Sequence, residues 1–266
     1  MAQTEPGPEL MRVFTVSDLH VDYDENDQWV AGLSTADYVD DLLILAGDVS
    51  DMPQRLGRTL ERLALRFRTL IYLPGNHELW VVRDRTHDDS FAKFDEVRRI
   101  AHESGAVQQV WHGSGLRIVP LYGWYDFSFG EPSRDLRLAW TDFRACRWPE
   151  GMTPAMITDA FLARNPAPVA APNLATITVS HFLPRIDVMP DFIPPAKRIV
   201  YPVLGTRKLE TQLRAWRPVT HVYGHSHVNR DQVIDGVRYV NNAFGYPGET
   251  RIAAKRLLCL HSTTAY

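Results

Sequence analysis

The sequence predicts an α/β fold in which strands buried on both faces are connected by helices. Three observations carry this. Largely apolar, β-branched runs of strand length recur, among them "MRVFTV" (11–16), "LLILAG" (42–47), "TLIYL" (69–73) and "ATITV" (175–179), and runs of this kind belong to strands covered on both sides. Between the second and third runs, Leu56, Leu60, Leu63, Ala64 and Phe67 fall at helical spacing. Each run stops at small or polar residues, as strands do where they feed loops.

The elements follow in order. "MRVFTVSDLH" (11–20) places β-branched and aromatic residues before Ser17 and reads as a strand entering a loop. "DDLLILAGDVSD" (40–51) repeats the pattern, and Pro53 suits the first turn of the helix that follows. "TLIYLPGNHELW" (69–80) is the third strand and loop. A helix is expected over 90–104, then strand-like "AVQQVWH" (106–112) and "LRIVPLYGW" (116–124), then helical patterns at 134–146 and 154–164 that end in the loop "NPAPVAAPN". After "ATITVSHF" (175–182) come a proline-rich loop, a helix near 206–216 and the strand opening "THVYGHSH" (220–227). A hairpin around Asp235-Gly236 and a closing strand in "AKRLLCLH" complete the chain.

Composition narrows the function classes. The chain has 266 residues, of which 45% are hydrophobic and 23% charged, enough to bury a sizeable core. We expect one domain over 11–266 behind a short flexible leader, because "MAQTEPGPEL" lacks the basic and apolar regions of a signal peptide. No run is long enough to span a membrane. Cys146 and Cys259 have neither zinc-type spacing nor a disulfide framework, so a cytoplasmic location is expected. A net charge of −3 offers no bulk attraction for a nucleic-acid polymer. Oligomeric state is not legible.

Five predicted strands end in residues able to hold a metal: Asp18 and His20, Asp48, Asn76 and His77, His181, and His225 with His227. Ligand sites in open α/β sheets lie outside the carboxyl ends of strands, so these residues can converge on one crevice. Singly, each is also an ordinary polar strand exit. The closing pair shares one face if the strand period of two continues through it.

These blocks are Asp18-Leu19-His20, Gly47-Asp48, Gly75-Asn76-His77-Glu78, His181, and Gly224-His225-Ser226-His227. In this order and completeness they resemble the calcineurin-like metallophosphoesterase superfamily. The resemblance implies a four-layer α/β/β/α sandwich with two facing mixed sheets. It also implies two divalent cations (Mn, Fe or Zn), one held by Asp18, His20 and His227, the other by Asn76, His181 and His225, with Asp48 shared. Such a pair lowers the pKa of a shared water and clamps the oxygens of an in-line phosphoryl displacement. His77 would then assist the leaving group, oriented by Asp51, which otherwise reads as a helix-start residue ahead of Pro53. Glu78 is expected to hydrogen-bond within its loop.

The implied activity is hydrolysis of a small phosphomonoester or phosphodiester. Met52-Pro53 stands where protein phosphatases of the superfamily carry Arg-Gly, which argues against a phosphoprotein substrate. Trp124 and Tyr125 in "LYGWYDFSFG" (121–130) and Tyr246 in "NNAFGYPGE" (241–249) are candidate pocket walls, with core packing and a turn as the respective alternatives. Arg137 and Arg144 read as a solvated face, and His221 as structural. The rival reading is a non-catalytic metal-binding scaffold, disfavoured because no block has lost a histidine.

Overall fold

A computed structural model describes residues 11–83, 87–171 and 173–262. The predicted leader, 1–10, lies outside them. The strands are β1 (Arg12–Val16), β2 (Leu42–Ala46), β3 (Thr69–Leu73), β4 (Trp111–Gly113), β5 (Leu116–Pro120), β6 (Ala175–Val179), β7 (Thr220–Tyr223), β8 (Arg230–Ile234), β9 (Val237–Asn241) and β10 (Leu258–Ser262). They form a four-stranded sheet, β10-β1-β2-β3, and a six-stranded sheet, β4-β5-β6-β7-β9-β8. Both are mixed: β1, β2 and β3 run parallel, as do β5, β6, β7 and β9, while β10, β4 and β8 pair antiparallel.

The alternation of side chains along the strands explains the layering. Leu43, Leu45, Leu70 and Tyr72 face outward and pack with Leu56, Leu60 and Leu63 of α2 (Pro53–Ala64) and Val97 and Ala101 of α3 (Ser90–Glu103). Their neighbours Leu42, Ile44, Ala46, Ile71 and Leu73 point the other way and meet Ile118, Ile177, Val179 and Val222 of the second sheet. Beyond that sheet, Val119, Tyr223 and Tyr239 pack on Leu209, Leu213 and Trp216, at and just beyond α7 (Arg207–Ala215). The result is helix, sheet, sheet, helix, as the resemblance implied. The sheets are stitched together where Ser17 bonds Asn242 and Phe244 across the end of β1.

Several expectations needed adjustment. The helix α1 (Asp24–Ala31) carries few apolar residues and gave no periodic signal. Of "AVQQVWH", only Trp111 and His112 join a strand, although Val107 bridges to Ile71. The helix expected over 134–146 is broken into α4 (Arg134–Ala139) and α5 (Asp142–Ala145), with Trp140 extended between them. A further helix, α6, covers Pro154–Leu162. The hairpin turn is at Asp235-Gly236, both with positive φ, as a two-residue loop requires. Among the described residues no helix is long and apolar enough to cross a membrane.

Candidate metal centre

All five blocks leave the carboxyl ends of parallel strands, and the two sheets bring those ends together. The loops after β1 and β2 continue their pairing past the strands: Asp18 N–H donates to Gly47 O at 2.9 Å and His20 N–H to Asp48 O at 3.0 Å. Likewise Gly224 N–H donates to His181 O at 2.9 Å. The glycines before the ligands are steric necessities. A Cβ on Gly75 would lie 2.1 Å from Asp48 Oδ1, and one on Gly47 would lie 2.5 Å from His181 Nδ1.

The backbone itself is strained here. Nine described non-glycine residues have positive φ, and five are Asp18, His20, Asp48, His225 and His227. Each such conformation costs on the order of 1–3 kcal/mol and persists only where surrounding structure enforces it. It also corrects the reading of "GHSH". The strand β7 stops at Tyr223, so His225 and His227 do not share a strand face. Two left-handed residues turn the chain so that each imidazole reaches a different cluster.

Those clusters are Asp18, His20, Asp48 and His227, and Asp48, His181 and His225, with the candidate ligand atoms of each within 4.8 Å of one another. Asp48 belongs to both. Asn76 joins the second through Oδ1, 3.2 Å from His181 Nε2. In the first, His20 Nε2 and His227 Nε2 stand 3.0 Å apart; in the second, His181 Nε2 and His225 Nδ1 are 3.2 Å apart. The opposite nitrogens are fixed from behind. His181 Nδ1 meets Ala46 O at 2.8 Å, His225 Nε2 meets Val203 O at 3.0 Å, and His227 Nδ1 meets Glu249 Oε2 at 2.6 Å. Each ring therefore aims one nitrogen inward, toward buried carboxylates.

The electrostatics agree with a cation-binding purpose. Burial opposes charge on His181 and His227, yet Asp48 and Asp18 override it and lift them to about 9 and about 10. Asp18, disfavoured as an anion by burial, is drawn down to about 2 by His227. His225, buried and beside His181, falls to about 3. A field that favours positive charge on some imidazoles and presents bare nitrogens on others fits divalent cations held by oxygen and imidazole donors.

His77 lies beside the shared carboxylate. Its backbone N–H donates to Asp48 Oδ1 at 3.0 Å, its Nε2 is 3.7 Å from Asp48 Oδ2, and its ring stacks on Trp80 with centroids 3.8 Å apart. Asp51 does not hydrogen-bond it. Instead Asp51 Oδ1 accepts from Arg83 Nη1 at 2.7 Å, because the guanidinium reaches over from the loop after Trp80 and also contacts Asp22. The expected Asp51–His77 pairing is thus replaced by an ion pair. Glu78 is wholly buried and accepts backbone N–H bonds from Asp48, Val49 and Gly75, a loop role as expected; burial and nearby Asp48 raise it to about 7.

The cleft over the clusters holds about 240 Å³ and is lined by His77, Trp80, Trp140, Val200, Leu204, Tyr246 and Glu249 among others. An adjoining lobe of about 320 Å³ shares His77, Trp80 and Tyr246 and is completed by Tyr23, Asp51 and Arg83. Tyr246 stands where expected, its ring 4.5 Å from that of His20. Trp124 and Tyr125 do not line the cleft. They are 1% and 2% exposed, stacked on each other, and Trp124 packs edge-on against Trp148 and Phe182. Burying so much aromatic area in the core outweighs leaving it as a wall. Arg137 and Arg144 are exposed, as expected.

Sequence reasoning missed four residues of this site. Glu249 backs His227; Trp80 and Trp140 supply the walls; and Asp142 accepts from Asn76 Nδ2 at 2.8 Å. Trp80 adjoins "GNHE" and could have been suspected, but Trp140 and Asp142 were hidden inside an apparent helix.

Comparison with known proteins agrees with this geometry. The calcineurin-like phosphoesterase family model matches residues 11–229. The [acyl-carrier-protein] phosphodiesterase PptH of Mycobacterium tuberculosis is 30% identical, over 90% of this chain and 79% of that protein. The crystal structure of the phosphopantetheinyl hydrolase PptH from the same organism superposes with a TM-score of 0.68 at 28% identity, covering 92% of this chain and 93% of that one.

Proposed function

The chain belongs to the calcineurin-like phosphoesterase family, and from that premise we propose that this metal-dependent hydrolase is a phosphodiesterase whose substrate is the phosphopantetheinyl diester of an acyl carrier protein. The observation that carries the diester preference is the two-lobed cleft meeting at His77, since a diester needs room for a substituent on each side of its phosphorus. The PptH likeness supports the substrate class.

Asp18, His20 and His227 would hold one cation and Asn76, His181 and His225 the other, with Asp48 available to both; the two clusters of buried candidate ligand atoms and the approach of Asn76 Oδ1 to His181 support this assignment. When bound, the pair of divalent cations acidifies water and neutralises charge on the phosphate oxygens. The donor set lacks thiolates, which favours Mn, Fe or Zn. His77, which lines both lobes, would deliver a proton to the departing oxygen, its ring kept in place by Trp80 and its backbone by Asp48. Asp51 and Arg83 line the second lobe as an ion pair, a polar wall beside which one substituent of the diester would lie. Complete retention of the ligand set favours catalysis over a scaffold role.

The test is hydrolysis of p-nitrophenyl phosphate, bis(p-nitrophenyl) phosphate and phosphopantetheinylated acyl carrier protein after metal stripping and Mn²⁺ add-back, with Asp48→Asn as control. Metal-dependent cleavage of the diesters in preference to the monoester is expected. Preference for the monoester would overturn the diesterase reading, and an inert carrier protein beside an active bis-ester would overturn the proposed substrate.

A further inference from the structure

Asp142 belongs to none of the five blocks, yet it is 2% exposed and its oxygens accept three hydrogen bonds at the edge of the site. Oδ1 takes Asn76 Nδ2 at 2.8 Å and Trp80 Nε1 at 2.7 Å, and Oδ2 takes Trp140 Nε1 at 2.8 Å. All three donors are N–H groups, so only an acceptor-only side chain satisfies them together. A side-chain amide at 142 has one oxygen and would turn its own N–H₂ toward a donor. Asn76 can be rotated two ways about its terminal bond, and the carboxylate selects one: nitrogen toward Asp142, oxygen toward His181 Nε2 at 3.2 Å. The break between α4 and α5 is what delivers Trp140 and Asp142 to this point.

We propose that Asp142 is a positioning residue that holds Asn76 oxygen-first for the second cation and fixes Trp80 and Trp140 in the same network, so that cation seat and substrate wall are set together. This rests on the reading of Asn76 as a ligand given above. A purely structural Asp142 would affect stability and both cation seats alike; a positioning Asp142 acts on one.

The experiment is Mn²⁺ titration of the metal-stripped full chain, followed by calorimetry and electron paramagnetic resonance, for the native protein, Asp142→Leu, Trp140→Phe and Asn76→Ala. We expect Asp142→Leu, which removes the acceptor for Asn76 as well as those for both indoles, to weaken the second Mn²⁺ by about 10–100-fold, as loss of a ligand-orienting partner does, and to leave the first unchanged. Asn76→Ala should do at least as much, and Trp140→Phe less. Unchanged second-site affinity in Asp142→Leu, with Asn76→Ala impaired, overturns the positioning role alone. If Asn76→Ala is also silent, the ligand assignment itself fails. Equal weakening of both seats marks a structural role and overturns the proposal. Should thermal melting show that Asp142→Leu does not fold, Trp140→Phe decides: it removes one bond to the carboxylate and keeps an aromatic ring at that place, and an unaltered second seat rejects the proposal.

Discussion

The two halves of the metal centre are built differently. Around Asp18, His20 and His227 the donors include a private carboxylate, and His227 is backed by a second one, Glu249, which is partly exposed. Around Asn76, His181 and His225 only the shared Asp48 is anionic, and the imidazoles are backed by the neutral carbonyls of Ala46 and Val203. A carboxylate behind an imidazole raises its basicity, whereas a carbonyl mainly fixes its orientation. The first seat therefore relies on charge and the second on placement. The first cation should bind more tightly, and the second should depend more on the packing that aims its ligands.

The largest expected effect abolishes the contrast. Asp48→Asn removes the one anion common to both seats, so Mn²⁺ titration should show neither seat filled normally and ester turnover should vanish; retention of one tight seat would mean that the carboxylate is not shared. His77→Ala should leave both seats intact while turnover falls by about 10²–10⁴-fold, the usual worth of a positioned acid or base. A variant with native turnover would remove His77 from the mechanism. Glu249→Gln sharpens the contrast from the other side. It should weaken the first Mn²⁺ by about 10–100-fold and spare the second, and an equal effect on both would show that backing charge is felt across the whole centre.

A second contrast, between a hydrogen-bonded imidazole and a candidate ligand, exists within one stretch of chain. His221 and His225 are both buried and both pushed down to about 3, yet His221 has its nitrogens occupied by the hydroxyls of Thr178 and Ser180, while His225 turns Nδ1 toward His181. Burial, followed by repulsion from Arg214, depresses His221. The unfolded chain therefore binds a proton near pH 6.5 that the folded chain refuses until about pH 3. Stability should fall as pH drops through that window, by up to about 1.4 kcal/mol per pH unit for this one group, and be flat with respect to it above. Denaturant unfolding between pH 4 and 8 measures it; a His221→Gln variant with an unchanged slope would assign the acid sensitivity elsewhere.

The fold was legible because buried strands declare themselves locally. The run at 42–46 is apolar at every position and that at 69–73 is so after Thr69, which is what a strand between two layers must be. The ligands were legible for a related reason: each sits directly after such a run, at a place the strand itself fixes. Helix α1 was missed because only Asn26 and Val30 are buried along it, too few to make a stripe. Trp124 and Tyr125 were misplaced because an aromatic pair has the same composition in a core as in a pocket, and only the neighbours, here Trp148 and Phe182, tell them apart.

By itself, then, the sequence determined the strands and the candidate ligands at their ends, since both follow from periodicity and from residues adjacent to strand ends, and the order of those blocks carried the resemblance that implied the layers. The tertiary structure alone decided what stands behind each ligand. Glu249 lies 22 residues from His227 and is brought in by a loop, and Asp142 lies 66 residues from Asn76 at the start of the short helix α5; neither segment has a repeating pattern. It also decided that Asp51 pairs with Arg83. Hydrogen bonds between distant side chains depend on how loops pack in space, and a pairing of that kind leaves no period in the chain for the sequence to display.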